Sequence, residues 1–183
     1  MQETIPSIYD KTVFAVLKEL FATPHGEFHL RGLAKATGLS TTAISRAIAQ
    51  LEQEAIITVT KTNITTRIRV DLESAAYTRL KKLFNLSSFL PYIDHFLTVF
   101  QPEALILFGS YAKGEDIEGS DIDLCILSLR KEPEDFRLAL EKIEKELNRT
   151  FSLHILNGLD KAEPAFRNAI ANGIVLHGYV KVC

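Results

Sequence analysis

Apolar residues recur along the first part of the chain at helical spacing. Between Tyr9 and Phe21, the residues Val13, Val16, Leu17, Leu20 and Phe21 share one face, which predicts a helix ended by TPHGE. FHLRGLAKATG predicts a shorter helix with Leu30, Leu33 and Ala34 inward and Gly38 suited to its C-terminus. A third helix opens at Ser40 or Thr41 and carries Ile44, Ala47, Ile48 and Leu51 in one stripe. The period then falls to two. ITVTKTNITTRIRV alternates β-branched and polar residues around Thr62-Asn63, as a β-hairpin does. Residues 74–100 predict two helices separated near Leu86-Ser87-Ser88, and Phe84, Phe89, Tyr92, Phe96 and Phe100 make them aromatic-rich. These rings are expected to form a packing layer between domains, with a homodimer interface as the sharper alternative. After Pro102, ALILFGS reads as a fully apolar strand, and YAKGEDIEGSDIDLCIL as a helical turn, a loop and a second strand. EPEDFRLALEKIEKEL is an amphipathic helix through Phe136, Leu140, Ile143 and Leu147, and FSLHIL is a third strand.

Three helices followed by a hairpin, the second and third joined through ATGLS, resemble a winged helix-turn-helix domain over about residues 9–70. The resemblance places Thr41, Thr42, Ser45, Arg46 and Gln50 on the exposed face of the recognition helix, in reach of base edges and phosphates. The wing would add Lys61, Arg67 and Arg69, with no acid between Ala55 and Val70, a pattern suited to phosphate contact. DNA is the implied partner. A homodimer follows as an expectation, because such proteins commonly read paired half-sites. Winged helices also serve as dimerisation and protein-docking modules, and Arg46 is the only basic residue in the recognition helix.

Composition sets the outer bounds. With 183 residues, 46% hydrophobic and 24% charged, the chain is a globular protein of one large or two small domains. Lys and Arg number 21 against 23 Asp and Glu, a net charge of −2 that excludes a wholly basic nucleic-acid coat protein. The balance is uneven: residues 1–73 carry 8 basic and 8 acidic groups, 74–100 carry 3 and 1, and 101–183 carry 10 and 14. No apolar run approaches the roughly 18 residues of a membrane span, and MQETIPSIYD lacks the layout of a signal peptide, so a cytoplasmic protein with no membrane partner is expected. Cys125 and Cys183 are two distant thiols, neither a disulfide framework nor a zinc site. Glycine is absent from Leu39 to Phe108 and then falls at Gly109, Gly114 and Gly119, which marks a loop with special backbone demands.

That loop carries the candidate chemistry. Asp121 and Asp123 alternate onto one face of the second strand, while Ile122, Leu124 and Ile126 take the other. Two carboxylates on a rigid strand suit a divalent cation such as Mg2+, which completes its shell with water and substrate phosphates. At Gly109-Ser110 a glycine lets backbone approach a phosphate, and the Ser110 hydroxyl can donate to it. Lys113, one helical turn on, adds a point charge. Glu115, Asp116, Glu118, Asp121 and Asp123 place five acids in nine residues, a field that would repel a nucleotide unless cations intervene.

Gly-Ser, ten residues, then Asp-x-Asp resembles the motif of the minimal nucleotidyltransferases of the DNA polymerase β superfamily. LFGSYAKGEDIEGSDIDLCIL follows it through Ala112, Gly114 and Ser120, with Lys113 where the family usually has arginine. AFRNAIANGIVLHG resembles the family's closing helix and short strand, so the likeness spans about residues 102–179. The expected fold class is α+β: a winged helix-turn-helix domain over 1–73, a helical linker over 74–100, and over 101–183 a nucleotidyltransferase-fold α/β domain with a small mixed sheet. The resemblance implies transfer of a nucleoside monophosphate from a nucleoside triphosphate, such as ATP, to an acceptor; some relatives are antitoxins that attach AMP to a partner HEPN-type toxin, so a protein acceptor encoded nearby is one expectation. Asp121 and Asp123 would hold two Mg2+ (or Mn2+) ions, and Gly109, Ser110, Lys113 and Ser120 would grip the nucleotide. The family's third carboxylate is missing from FSLHIL; His154 is its best match and Ser152 the second. A neutral imidazole can act as a general base but is a poor magnesium ligand. Two functions therefore stand open: a nucleotidyltransferase addressed by a winged helix, and a DNA-binding regulator whose nucleotidyltransferase fold only senses nucleotide or docks a partner.

Overall fold

The computed structural model describes residues 10–62, 65–130, 132, 136–160 and 162–180, and the chain divides into two compact units at Lys81/Lys82. In the first unit, α1 (Lys11–Ala22) is capped by Asp10, whose carboxylate accepts from the Val13 N–H at 2.8 Å. The start expected at Tyr9 lies outside the described residues. α1 buries Val13, Val16, Leu17, Leu20 and Phe21. Burying each such side chain contributes roughly 1.5–3 kcal/mol, so the apolar stripe fixes the helix face. α2 (Leu30–Thr37) ends at Gly38, which adopts φ +71°. α3 (Thr41–Gln53) is capped by Ser40 and buries Ile44, Ala47, Ile48 and Leu51.

The hairpin is β1 (Ile57–Lys61) and β2 (Thr66–Val70), antiparallel, with Ile57 opposite Val70 and Lys61 opposite Thr66. Thr62 and Thr65 close it through an N–H···O bond of 2.8 Å, while Asn63 lies outside the described residues. Phe28 adds an isolated antiparallel bridge on the other edge of β2, exchanging N–H···O bonds of 2.8 and 2.9 Å with Ile68. This bridge is the part of the wing that periodicity does not reveal. Three helices followed by a two-stranded hairpin with this added bridge give the unit a winged helix-turn-helix topology.

α4 (Ala75–Phe89) opens in the first unit and closes in the second. The break expected near Leu86-Ser87-Ser88 instead follows Phe89. The Ser87 and Ser88 hydroxyls donate to the Phe84 carbonyl at 2.8 and 2.9 Å, which lets the helix absorb them. A 3-10 turn at Leu90–Tyr92 contains Pro91, whose missing N–H ends the α-helical ladder. α5 (Ile93–Phe100) follows.

The second unit holds β3 (Ala104–Phe108), α6 (Gly109–Lys113), β4 (Ile122–Leu127), α7 (Phe136–Leu147), β5 (Phe151–Leu156), α8 (Pro164–Ala171) and β6 (Ile174–Gly178). The sheet order is β5-β4-β3-β6; β4 and β5 run parallel and the other pairs antiparallel, so the sheet is small and mixed. Leu105, Leu107, Ile122, Leu124 and Ile126 share a core with Phe136, Leu140 and Ile143 of α7. Phe89, Phe96 and Phe100 are fully buried in that same core, with Phe100 packed edge-on against Phe136 at 4.9 Å. Phe89, Phe96 and Phe100, with Tyr92 packed against them, therefore belong to the core of the second unit. Ile106, Phe108, Cys125 and Leu127 form a second cluster with Ile170 of α8. Among the described residues, no helix is long and apolar enough to cross a membrane.

Candidate active site

The two halves of the motif meet at Gly109. β3 ends in Phe108, and the chain turns into α6 through Gly109 at φ +72°, a conformation L side chains rarely adopt. A Cβ there would fall on the Asp123 carboxylate, with the carboxyl carbon 2.9 Å away. Antiparallel pairing of Phe108 with Asp123 produces this approach. Glycine thus serves the carboxylate's space as well as the turn.

Asp121 stands just before β4 and is exposed; its Oδ1 accepts a hydrogen bond from the Thr150 hydroxyl. Asp123 is half-buried, and that burial pushes its carboxyl above the usual range. A hydrogen bond from Ser152 and the nearness of His154 oppose the shift, while the neighbouring Asp121 charge adds to it. Parallel pairing sets Ser152 beside Asp123 and His154 beside Cys125. Ser152, rather than His154, is therefore the strand neighbour of Asp123. His154 Nε2 lies 3.2 Å from Ser152 Oγ, and its ring packs 5.5 Å from Phe108 and 5.0 Å from Phe166. Among the described residues, no group of three or more His, Cys, Asp or Glu is placed to hold a metal.

Of the remaining predicted residues, Ser110 is half-buried and Lys113 exposed, both on α6. Ser120 faces its own loop: its hydroxyl accepts from the Ile117 N–H at 3.0 Å and shapes the turn through Gly119. The five-acid field needs correction. Asp116 is only 2% exposed and turns inward, where it accepts from Asn85 Nδ2 at 2.6 Å and pairs with Arg149 Nη2 at 3.4 Å. Asn85 also donates to the Tyr111 carbonyl, and the Tyr111 hydroxyl donates back to the Asn85 carbonyl. Burial, then the Asp116 charge, raises the Tyr111 hydroxyl well above its ordinary value. This network ties the loop to α4, α6 and the entry to β5. A buried Asp116 needed partners, but Asn85 and Arg149 lie 31 and 33 residues away and no local pattern points to them. Beside it, an open cleft of about 390 Å3 runs between Gly119-Ser120 and Glu144, Lys145, Asn148 and Thr150.

In the first unit, Thr41, Thr42, Ser45, Arg46 and Gln50 lie on α3, and Lys61, Arg67 and Arg69 are exposed on the hairpin. Thr41, Thr42, Ser45, Arg46 and Gln50 are all exposed. The wing is not acid-free, however. Glu27 reaches it from beside the Phe28 bridge and takes Arg69 Nη2 at 2.8 Å and Nε at 3.2 Å, with Arg67 Nε at 3.5 Å.

A mixed four-stranded sheet that brings a Gly-Ser turn against an Asp-x-Asp strand defines a nucleotidyltransferase-fold domain, preceded here by a winged helix-turn-helix. Residues 92–179, all within the second unit, match the family described as Polymerase beta, Nucleotidyltransferase. No curated protein sequence matches the chain. Among solved structures, the chain is similar to the Adhesin competence repressor (AdcR) from Streptococcus pyogenes. The two are 18% identical over 51% of this chain and 69% of that one, with a TM-score of 0.34.

Proposed function

We propose that the second unit binds a nucleoside triphosphate, ATP being the expected donor, and transfers its nucleoside monophosphate to an acceptor protein. The first unit addresses this activity to DNA. The observation that carries the reading is the contact of Asp123 with Gly109, which unites the phosphate turn and the carboxylate strand at one point. Asp121, Asp123 and the Ser152 hydroxyl are hard oxygen donors and fit one Mg2+ or Mn2+ completed by water and phosphate oxygens. Without a third carboxylate, these residues favour one ion over two. When bound, the ion would neutralise phosphate charge and polarise the reacting phosphoryl group. Gly109 leaves room for the Asp123 carboxylate at the turn, the Ser110 hydroxyl would donate to the triphosphate, and Lys113 would add positive charge. Thr150 orients Asp121, and Ser152 orients Asp123. His154, with Nε2 3.2 Å from Ser152 Oγ, would act on that hydroxyl rather than on an ion.

The absence of an acid on β5 favours a second reading, in which the domain binds nucleotide without transferring it. Incubation with labelled ATP, Mg2+ or Mn2+ and proteins encoded nearby separates the two. Label on an acceptor, lost in Asp121→Ala, supports transfer. Saturable nucleotide binding with no label on any acceptor supports the regulator.

A further inference from the structure

Arg67 and Arg69 are two residues apart on β2, and their guanidinium groups converge on one carboxylate, that of Glu27. Both side chains are open to solvent, 55% and 65% exposed, while Glu27 is 29% exposed. The Arg69 hydrogen bond holds the Glu27 carboxyl below its usual range, against a smaller opposing effect of desolvation. His29 completes the surroundings: its Nδ1 donates to the Thr66 carbonyl at 3.0 Å, and its Nε2 stands 3.8 Å from Glu27. Phe28, between these two residues, is fixed to Ile68 by a pair of backbone hydrogen bonds. The backbone at Glu27 is therefore held in place, and only its side chain can swing away.

We propose that Arg67 and Arg69 form a backbone-phosphate site for duplex DNA, and that Glu27 fills this site as an internal anion until DNA displaces it. The inference rests on the DNA-binding reading of the winged helix. A guanidinium fork donates to carboxylate and phosphate oxygens in the same geometry, so one anion exchanges for the other without refolding the wing. Exposed ion pairs are weak enough for that exchange. The arrangement also accounts for a wing rich in arginine on a domain whose acidic and basic groups balance. Glu27 cancels one of the wing's charges and restrains sequence-independent attraction, leaving the α3 side chains a larger share in choosing a site.

The test compares wild type and Glu27→Gln, as full chains, by fluorescence anisotropy with a duplex of arbitrary sequence over a range of salt. Removing one acid at the phosphate site is expected to steepen the log K against log salt slope by about 0.9. That amounts to about eightfold tighter binding at 0.1 M salt, with the curves converging near 1 M. The gain is expected to vanish when Arg67→Ala and Arg69→Ala are added, and Glu27→Ala is expected to behave as Glu27→Gln does. Binding by both proteins with equal affinity and slope would overturn the gate and leave the DNA reading standing. A gain that survives loss of both arginines would show Glu27 acting only through overall charge, which also overturns it. No binding by either protein at the lowest salt would overturn both.

Discussion

Replacement of Gly109 by alanine tests the central geometry most directly, because two separable penalties fall on one atom. The first is conformational: a Cβ at φ +72° costs about 1–2 kcal/mol. The second is the collision with the Asp123 carboxylate. Moving that side chain off its rotamer costs about 0.5–1.5 kcal/mol, and losing its hydrogen bond with Ser152 about as much again. Gly109→Ala should therefore destabilise the second unit by about 2–5 kcal/mol. Gly119 supplies the control: it has φ +80°, and a Cβ there would meet nothing within 4 Å. Gly119→Ala should show the conformational penalty alone, about 1–2 kcal/mol. Urea unfolding followed by circular dichroism measures both. Asp123→Ala should then recover about 1–3 kcal/mol in the Gly109→Ala background, as a double-mutant cycle. Equal losses at the two glycines, with no coupling to Asp123, would refute the claim that the carboxylate occupies the space above Gly109.

Asp123 itself should trade stability for function. Its carboxyl is raised in the folded state, so the native protein favours the protonated form, and the penalty for ionisation sets in as pH rises from the ordinary value of 3.8 through the folded value. Asp123→Asn should accordingly raise the melting temperature at pH 7, lose that advantage in acid, and abolish nucleotidyl transfer or metal-dependent nucleotide binding. Arg149→Ala removes a partner from the buried Asp116 carboxylate and should destabilise the second unit by about 3 kcal/mol. For a unit of this size that lowers the melting temperature by roughly 10 °C or more, and a shift of only a degree or two would show that Asn85 suffices.

Much of the architecture is legible from periodicity. Val13 to Phe21, Ile44 to Leu51 and Phe136 to Ile143 each bury the stripe that their spacing predicts, because an apolar face has one low-energy place to go. The Gly-Ser and Asp-x-Asp halves are legible as well, since strand alternation and the ends of β3 and β4 bring them together through local geometry. The break falls after Phe89 rather than at the serines because serines can satisfy a helix from within and proline cannot. The fate of individual charges is not legible at all. Asp116 reads as one of five exposed acids, yet Asn85 and Arg149 draw it inside. Arg67 and Arg69 read as free cations, yet Glu27 meets them from 40 and 42 residues away. Sequence determined the elements, their buried faces and the pairing of the two motif halves, all properties of short repeats. Which charge faces solvent, and which is already answered by another, depended on contacts between distant segments, and only the tertiary structure decided it.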